Sequence, residues 1–156
     1  MRIGLRPVFL AAVETGDRSF RCVTVTSLVS AEVTEGGGGK VLLVLRTNSE
    51  FLAALRASRL FSVNLLTTSS LTDAQKHATP NRSDLTKGED PSWDFGRGVP
   101  VHSVANRSLI LELSTTIPSG ANSLLVASVN RVLGGGPGDI LYYGFGEYSS
   151  FGALAS

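Results

Sequence analysis

Apolar positions in this chain come in short runs separated by glycine, proline and polar turns, which is the rhythm of strands rather than long helices. Residues 8–14 (VFLAAVE) form an apolar run that predicts a buried strand. Gly16-Asp17 turns the chain. Residues 22–29 (CVTVTSLV) then alternate, with Val23, Val25, Ser27 and Val29 on one face and Cys22, Thr24, Thr26 and Leu28 on the other. One face is aliphatic and the other carries hydroxyls, as expected of a strand set between a core and a ligand or solvent. KVLLVLR (40–46) is apolar on both faces and predicts a central strand. Thr47 to Ser49 supply cap chemistry for a helix over 50–58, whose inner stripe is Phe51, Leu52 and Leu55. FSVNLL (61–66) predicts another strand, and a second short helix follows over about 70–78.

Residues 79–99 read as a long loop carrying Trp93, and loops of that length in small domains are commonly functional or mobile. Three late strands are predicted at 108–117, 123–133 and 139–144, followed by a Gly- and Ser-rich tail over 145–156 that frays or packs on a partner. The expected fold class is all-β with two short helices, a small closed barrel formed by a single domain over 1–156.

Composition narrows the function classes. The chain has 156 residues, of which 42% are apolar and 17% charged, so it can bury a real core and is not disordered. Fourteen basic residues against thirteen acidic give a net charge of +1, too little for a field that holds nucleic acid. No run approaches the roughly 20 apolar residues of a membrane-spanning helix; the expectation is a cytoplasmic protein without a membrane partner. One cysteine, Cys22, excludes an internal disulfide and a cysteine-cluster zinc site, and with two histidines, His77 and His102, no metal centre is expected. Gly36 to Gly39 precede Lys40, but no Ser or Thr follows the lysine to hold a metal ion. The glycines are expected to form a mobile hairpin tip.

No nucleophile constellation is visible. Cys22 reads as a buried inert thiol, His77 as a solvated helix residue and His102 as a strand-edge residue. Glu112 interrupts an apolar strand; alternation favours a solvent-facing position, the other reading being an inward acid of raised pKa. Trp93 covers either core or the mouth of a pocket. Tyr142 and Tyr143 are adjacent, so one points inward and one outward.

From residue 8 to 148 the order of pieces resembles the flavin reductase-like, FMN-binding split-barrel family. The carrying segments are VTVTSLVS (23–30), LRTNSEFLAALRASRLFSVNLL (45–66), GVPV (98–101), SLILELSTTI (108–117), SGANSLLVASVNRV (119–132) and ILYYGFGEY (140–148). The resemblance implies a Greek-key split β-barrel and a homodimer with its site at the subunit interface. It further implies that Thr24, Thr26 and Ser27 take the flavin phosphate through convergent donors, and that Thr47, Asn48 and Ser49, in the loop before the first helix, belong to the same cofactor site. The residues themselves leave open whether Thr47 to Ser49 only cap the helix, and whether Thr24 and Thr26 only face solvent.

The chain departs from the family pattern in places. Gly36 to Gly39 stand where two prolines are usual, and Arg46-Thr47-Asn48-Ser49 where Asn-Arg-Ser-Ser is usual. Gly120-Ala121-Asn122 stand where Gly-Asp-His receives nicotinamide, and Asn122 cannot gain charge near neutral pH.

Three readings follow. In the leading one, the barrel has left redox chemistry, needs no cofactor and cyclises an apolar small molecule of secondary metabolism by holding it in one folded pose. Its candidate catalytic residues are Asn122, Tyr142 and Glu112, and its pocket residues Trp93, Tyr143 and Phe51. The alternative is an NAD(P)H-dependent FMN reductase that supplies a monooxygenase. The third is a non-catalytic flavin or small-ligand carrier.

Overall fold

The computed structural model describes residues 4–33, 38–79 and 84–150. In chain order the elements are β1 (Arg6–Pro7), β2 (Phe9–Gly16), β3 (Ser19–Val25), β4 (Val29–Val33) and β5 (Gly39–Arg46). Helix α1 (Glu50–Ser58) and β6 (Leu60–Leu65) follow, then a 3-10 turn at Thr68–Ser70 that leads into α2 (Leu71–Lys76). Next come β7 (Leu85–Thr86), β8 (Trp93–Asp94) and β9 (Val101–His102). The long strands β10 (Arg107–Ser119) and β11 (Asn122–Gly134) precede β12 (Leu141–Gly144) and β13 (Glu147–Ser150).

Eight strands form one antiparallel sheet in the order β4-β5-β11-β10-β6-β2-β3-β7. Ala11 and Val13 of β2, Val25 of β3, Leu43 of β5 and Leu125 of β11 share one core, so strands far apart in that order face each other across a curled sheet. Phe51, Leu52 and Leu55 of α1 plug this core. The other face of β2 is covered as well: Leu10 and Ala12 pack with Phe20, Leu66, Trp93 and Leu141 in a second core. Residues 8–13 of the run VFLAAVE are apolar because both faces of the strand are buried there. The arrangement is the split barrel expected from the sequence.

Several expectations need correction. The strand predicted over 22–29 stops at Val25 and a separate strand starts at Val29, so its alternation does not continue through Thr26 to Leu28. KVLLVLR is not sealed on both faces. Val41, Leu43 and Leu45 point into the core, whereas Leu42 is half-buried and Val44 is 42% exposed, because no element of the described chain covers the outer face. The long loop contains β7, paired to β3, and β8, paired to β9. The predicted glycine tip falls partly outside the described residues; the flanking hairpin is present, with Val33 opposite Gly39. Residues 145–150 of the tail form a hairpin with β12, and 151–156 lie outside the described residues. Among the described residues no helix is long and apolar enough to cross a membrane.

Candidate functional site

A cleft of about 430 Å³ opens where β3, β5, the start of α1 and the end of α2 meet. Its apolar floor is Val23 of β3, Val44 and Leu45 of β5 and Phe51 of α1. Cys22, Thr24, Ala78 and Thr79 form one wall. The opposite rim carries Arg46, Asn48, Ser49 and Asn122, with Arg21 and Glu50 beside them. The size falls within the roughly 300–1,000 Å³ of small-molecule sites. The lining is mixed rather than apolar, since two guanidinium groups, two amides and a carboxylate border it.

Local chemistry places each rim group. Ser49 sits in extended backbone at the N-cap of α1 and its Oγ accepts from the Leu52 N–H at 3.1 Å, which leaves its own hydroxyl proton available. The first N–H groups of the helix, at Glu50 and Phe51, have no partner within the helix and point positive dipole toward the cleft. Asn122 opens β11 directly opposite Arg46, the last residue of β5. The connection before Asn122 is a two-residue turn whose first position, Gly120, has a φ of +63°, a conformation glycine adopts without strain. Thr47 ties this turn to the helix loop. Its N–H donates to the Ala121 carbonyl at 2.9 Å, and its hydroxyl donates to the Gly120 carbonyl at 3.1 Å.

Among the described residues, the side chains of Arg46, Asn48 and Asn122 form no hydrogen bond or ion pair, so their donors face the cleft uncommitted. Arg21 differs: its guanidinium bridges Glu50 at 2.6 Å and Asp84 at 2.5 Å.

The expected phosphate-strand hydroxyls behave differently from one another. Thr24 lines the cleft, but both its donors are spent on α2: its N–H reaches the His77 carbonyl at 3.1 Å and its Oγ1 donates to the Ala74 carbonyl at 2.6 Å. Ser27 donates to the Val44 carbonyl and accepts from the Val44 N–H, both at 3.1 Å. It thereby imitates a strand pair across the gap between β3 and β4. Thr26 is half-buried beside it and does not line the cleft.

The other sequence candidates do not converge. Of the three expected pocket residues, only Phe51 is on the cleft. Trp93 is a core residue, 6% exposed, with its ring 5.1 Å from Phe20 and 5.0 Å from His102. Tyr142 and Tyr143 lie on β12 in the small sheet with β1 and β13, where the Tyr143 ring packs 4.9 Å from Tyr148. Glu112 is exposed on β10, opposite Leu60.

Neither histidine is where the sequence suggested. His77 is buried at the end of α2, and His102 is buried with its Nε2 3.0 Å from the Asp73 carboxylate. Cys22 is a buried free thiol whose pKa is pushed well up, first by burial and then by the nearby Asp73 charge. Among the described residues no group of His, Cys, Asp and Glu could hold a metal ion. The sequence gives Arg21 no role and shows Arg46 only as a departure in the helix-entry loop. The signal for Arg46 was present, since it shares the outward face of β5 with Val44.

The chain has the flavin reductase-like fold. BorF, the flavin reductase component of a bacterial two-component tryptophan halogenase, superposes with a TM-score of 0.82 at 21% identity over 94% of this chain and 90% of that one. The Streptomyces globisporus C-1027 NADH:FAD oxidoreductase SgcE6 gives 0.80 at 18% identity over 94% and 86%. The styrene monooxygenase flavin reductase of Pseudomonas putida S12 gives 0.79 at 18% identity over 94% and 90%. No protein-family model matches the chain, and no curated protein matches it in sequence.

The donor set fits a flavin nucleotide. A tricyclic ring needs an apolar floor with amide donors at its carbonyl edge, which Phe51, Leu45, Asn48 and Asn122 offer. A phosphate needs a cation or convergent N–H and O–H groups, which Arg46, Ser49 and the start of α1 offer.

Proposed function

We propose that the chain is a flavin reductase that binds flavin in the cleft at the start of α1 and reduces it with a nicotinamide nucleotide. The observation that carries this reading is the cleft itself: uncommitted Arg46, Asn48, Ser49 and Asn122 donors around an apolar floor, within a fold shared over 94% of the chain with flavin reductases. A bound flavin supplies the hydride-accepting ring. The chain's own residues bind and orient. Ser49 and the helix start hold the phosphate, Phe51 and Leu45 support the ring, and Asn48 and Asn122 donate to its carbonyl edge.

Asn122 orients the nicotinamide without taking up a proton, so activity carries no dependence on its protonation. Nothing in the similar structures supports the cyclisation reading, whereas those structures are named as flavin reductases. The similar structures named as components of halogenase and monooxygenase systems support delivery of reduced flavin to a second enzyme.

The protein also acts as a homodimer in this reading. Leu42 and Val44 on β5, Leu124 and Val126 on β11 and Val29 on β4 present an uncovered apolar face beside the cleft. Titration of the purified protein with FMN and FAD, followed by quenching of flavin fluorescence, tests the binding step. Saturable binding that weakens in Ser49→Ala and Asn48→Ala is expected; absence of saturation with either flavin overturns the proposal.

A further inference from the structure

The start of α1 has two negative groups to serve. Glu50 is the first residue of the helix and the one carboxylate on the cleft lining among the described residues. Its charge complements the positive helix start. In the reading above, the same helix start holds the flavin phosphate, which carries roughly two negative charges near neutral pH. A carboxylate and a phosphate at one helix end repel each other.

Arg21 resolves the conflict. It stands two residues before Val23 on β3 and so shares the face that forms the cleft floor. Its Nη1 donates to Glu50 Oε2 at 2.6 Å, and its Nη2 pairs with Asp84 Oδ1 at 2.5 Å. The Arg21 side chain is 17% exposed, against 63% for Glu50 and 37% for Asp84, so the cation is the fixed member of the trio. Asp84 lies outside the cleft lining and engages the second nitrogen, while Glu50 is drawn toward β3. An ion pair with so exposed a partner adds little to folding stability. Its consequence is local: it cancels the acidic charge of the cleft.

We propose that Arg21 is a positioning residue for the phosphate. It neutralises Glu50 and holds that carboxylate toward β3, which leaves the start of α1 to the phosphate, and it acts without touching the phosphate itself. This rests on the flavin-binding reading above and adds a residue that the reading does not use. A direct grip by Arg21 fits less well, because both of its terminal nitrogens are engaged by carboxylates, whereas the Arg46 side chain on the same lining has no partner among the described residues.

A double-mutant cycle separates a shield from a direct contact. Dissociation constants for FMN and for riboflavin, which has the same ring system and no phosphate, are measured by fluorescence quenching. The proteins are the native chain, Arg21→Gln, Glu50→Gln and the double variant, with thermal melts confirming folding. Arg21→Gln should weaken FMN binding about tenfold, the effect of one uncompensated carboxylate at a partly screened rim, and leave riboflavin binding unchanged. Arg21→Gln with Glu50→Gln should return FMN affinity to within about twofold of the native value, because the repelling charge is removed together with its shield. Glu50→Gln alone alters an exposed side chain and should bind FMN at least as tightly as the native chain; it serves if the Arg21 variants melt early.

A folded double variant as weak for FMN as Arg21→Gln alone overturns this inference and leaves flavin binding standing, because Arg21 then contacts the phosphate or only supports the fold. Equal losses of FMN and riboflavin, no effect of Arg21→Gln, or weaker FMN binding in Glu50→Gln also overturns it. A native protein that binds neither flavin removes both the inference and the function on which it rests.

Discussion

His102 Nε2 lies 3.0 Å from the Asp73 carboxylate and ties β9 to α2 beneath the cleft wall. The His102 side chain is fully buried and Asp73 is only partly so, while the backbone N–H of His102 donates to the Asn64 side-chain carbonyl at 3.0 Å. Asn64 Oδ1 also accepts from the Ser108 hydroxyl at 2.7 Å, so one buried polar network joins β6, β9, β10 and α2. The next residue along α2, Ala74, receives Thr24 of the cleft wall. His102→Ala should therefore destabilise the fold by about 2 kcal/mol or more through the lost hydrogen bond and the gap beside Trp93. Thermal unfolding checks this; a melting temperature unchanged from the native protein contradicts it.

Cys22 borders the cleft yet should be unreactive. Burial and the Asp73 charge keep its pKa well above the ordinary thiol value, so the thiolate is scarce at neutral pH. Iodoacetamide should label the unfolded chain and leave the native chain unlabelled over the same interval, as followed by mass spectrometry. Rapid labelling of the native protein goes against this.

Asp90 sets the turn before Trp93. Its carboxylate accepts from the Ser92 N–H at 2.9 Å, and this bond is the main cause of a pKa below the usual carboxylate range. Burial opposes the shift; the Ser92 hydroxyl and the Lys76 and His102 charges reinforce it. A lowered folded-state pKa gives stability that is present above the unfolded carboxylate pKa and is lost as pH falls through the folded one. Asp90→Asn should therefore be less stable than the native chain near neutral pH, with the gap closing in acid. Denaturant midpoints across the carboxylate range read this directly, and a gap that widens in acid has the wrong sign.

The outer face of β5 should bury itself in a second copy. Light scattering should give twice the 16.4 kDa chain mass, and Val44→Glu should shift the protein toward the monomer. A native monomer excludes a site shared between subunits.

Much of the barrel is legible in the sequence because its signals are local. Ser49 followed by Phe51, Leu52 and Leu55 is enough to place α1, and the predicted 50–58 agrees with Glu50–Ser58. The apolar run at 8–14 needs only its own residues to show burial on both faces. What escaped is set by tertiary placement. Nothing near His102 in sequence announces Asp73, 29 residues away. Trp93 could not be assigned to core or pocket without knowing that Phe20 and His102 enclose it. The break after Val25 depends on Ser27 bonding to the Val44 backbone, which alternation does not register. The polarity of the cleft is not legible in the sequence because only the fold brings Arg21 and Arg46 to one rim.

The most direct test is oxidation of NADH and NADPH by the purified protein with catalytic amounts of FAD or FMN, followed by loss of the nicotinamide absorbance. The account predicts turnover that requires both flavin and enzyme, saturates with flavin and falls in Asn122→Ala. A protein that binds flavin yet oxidises neither nucleotide above the flavin-only background contradicts it.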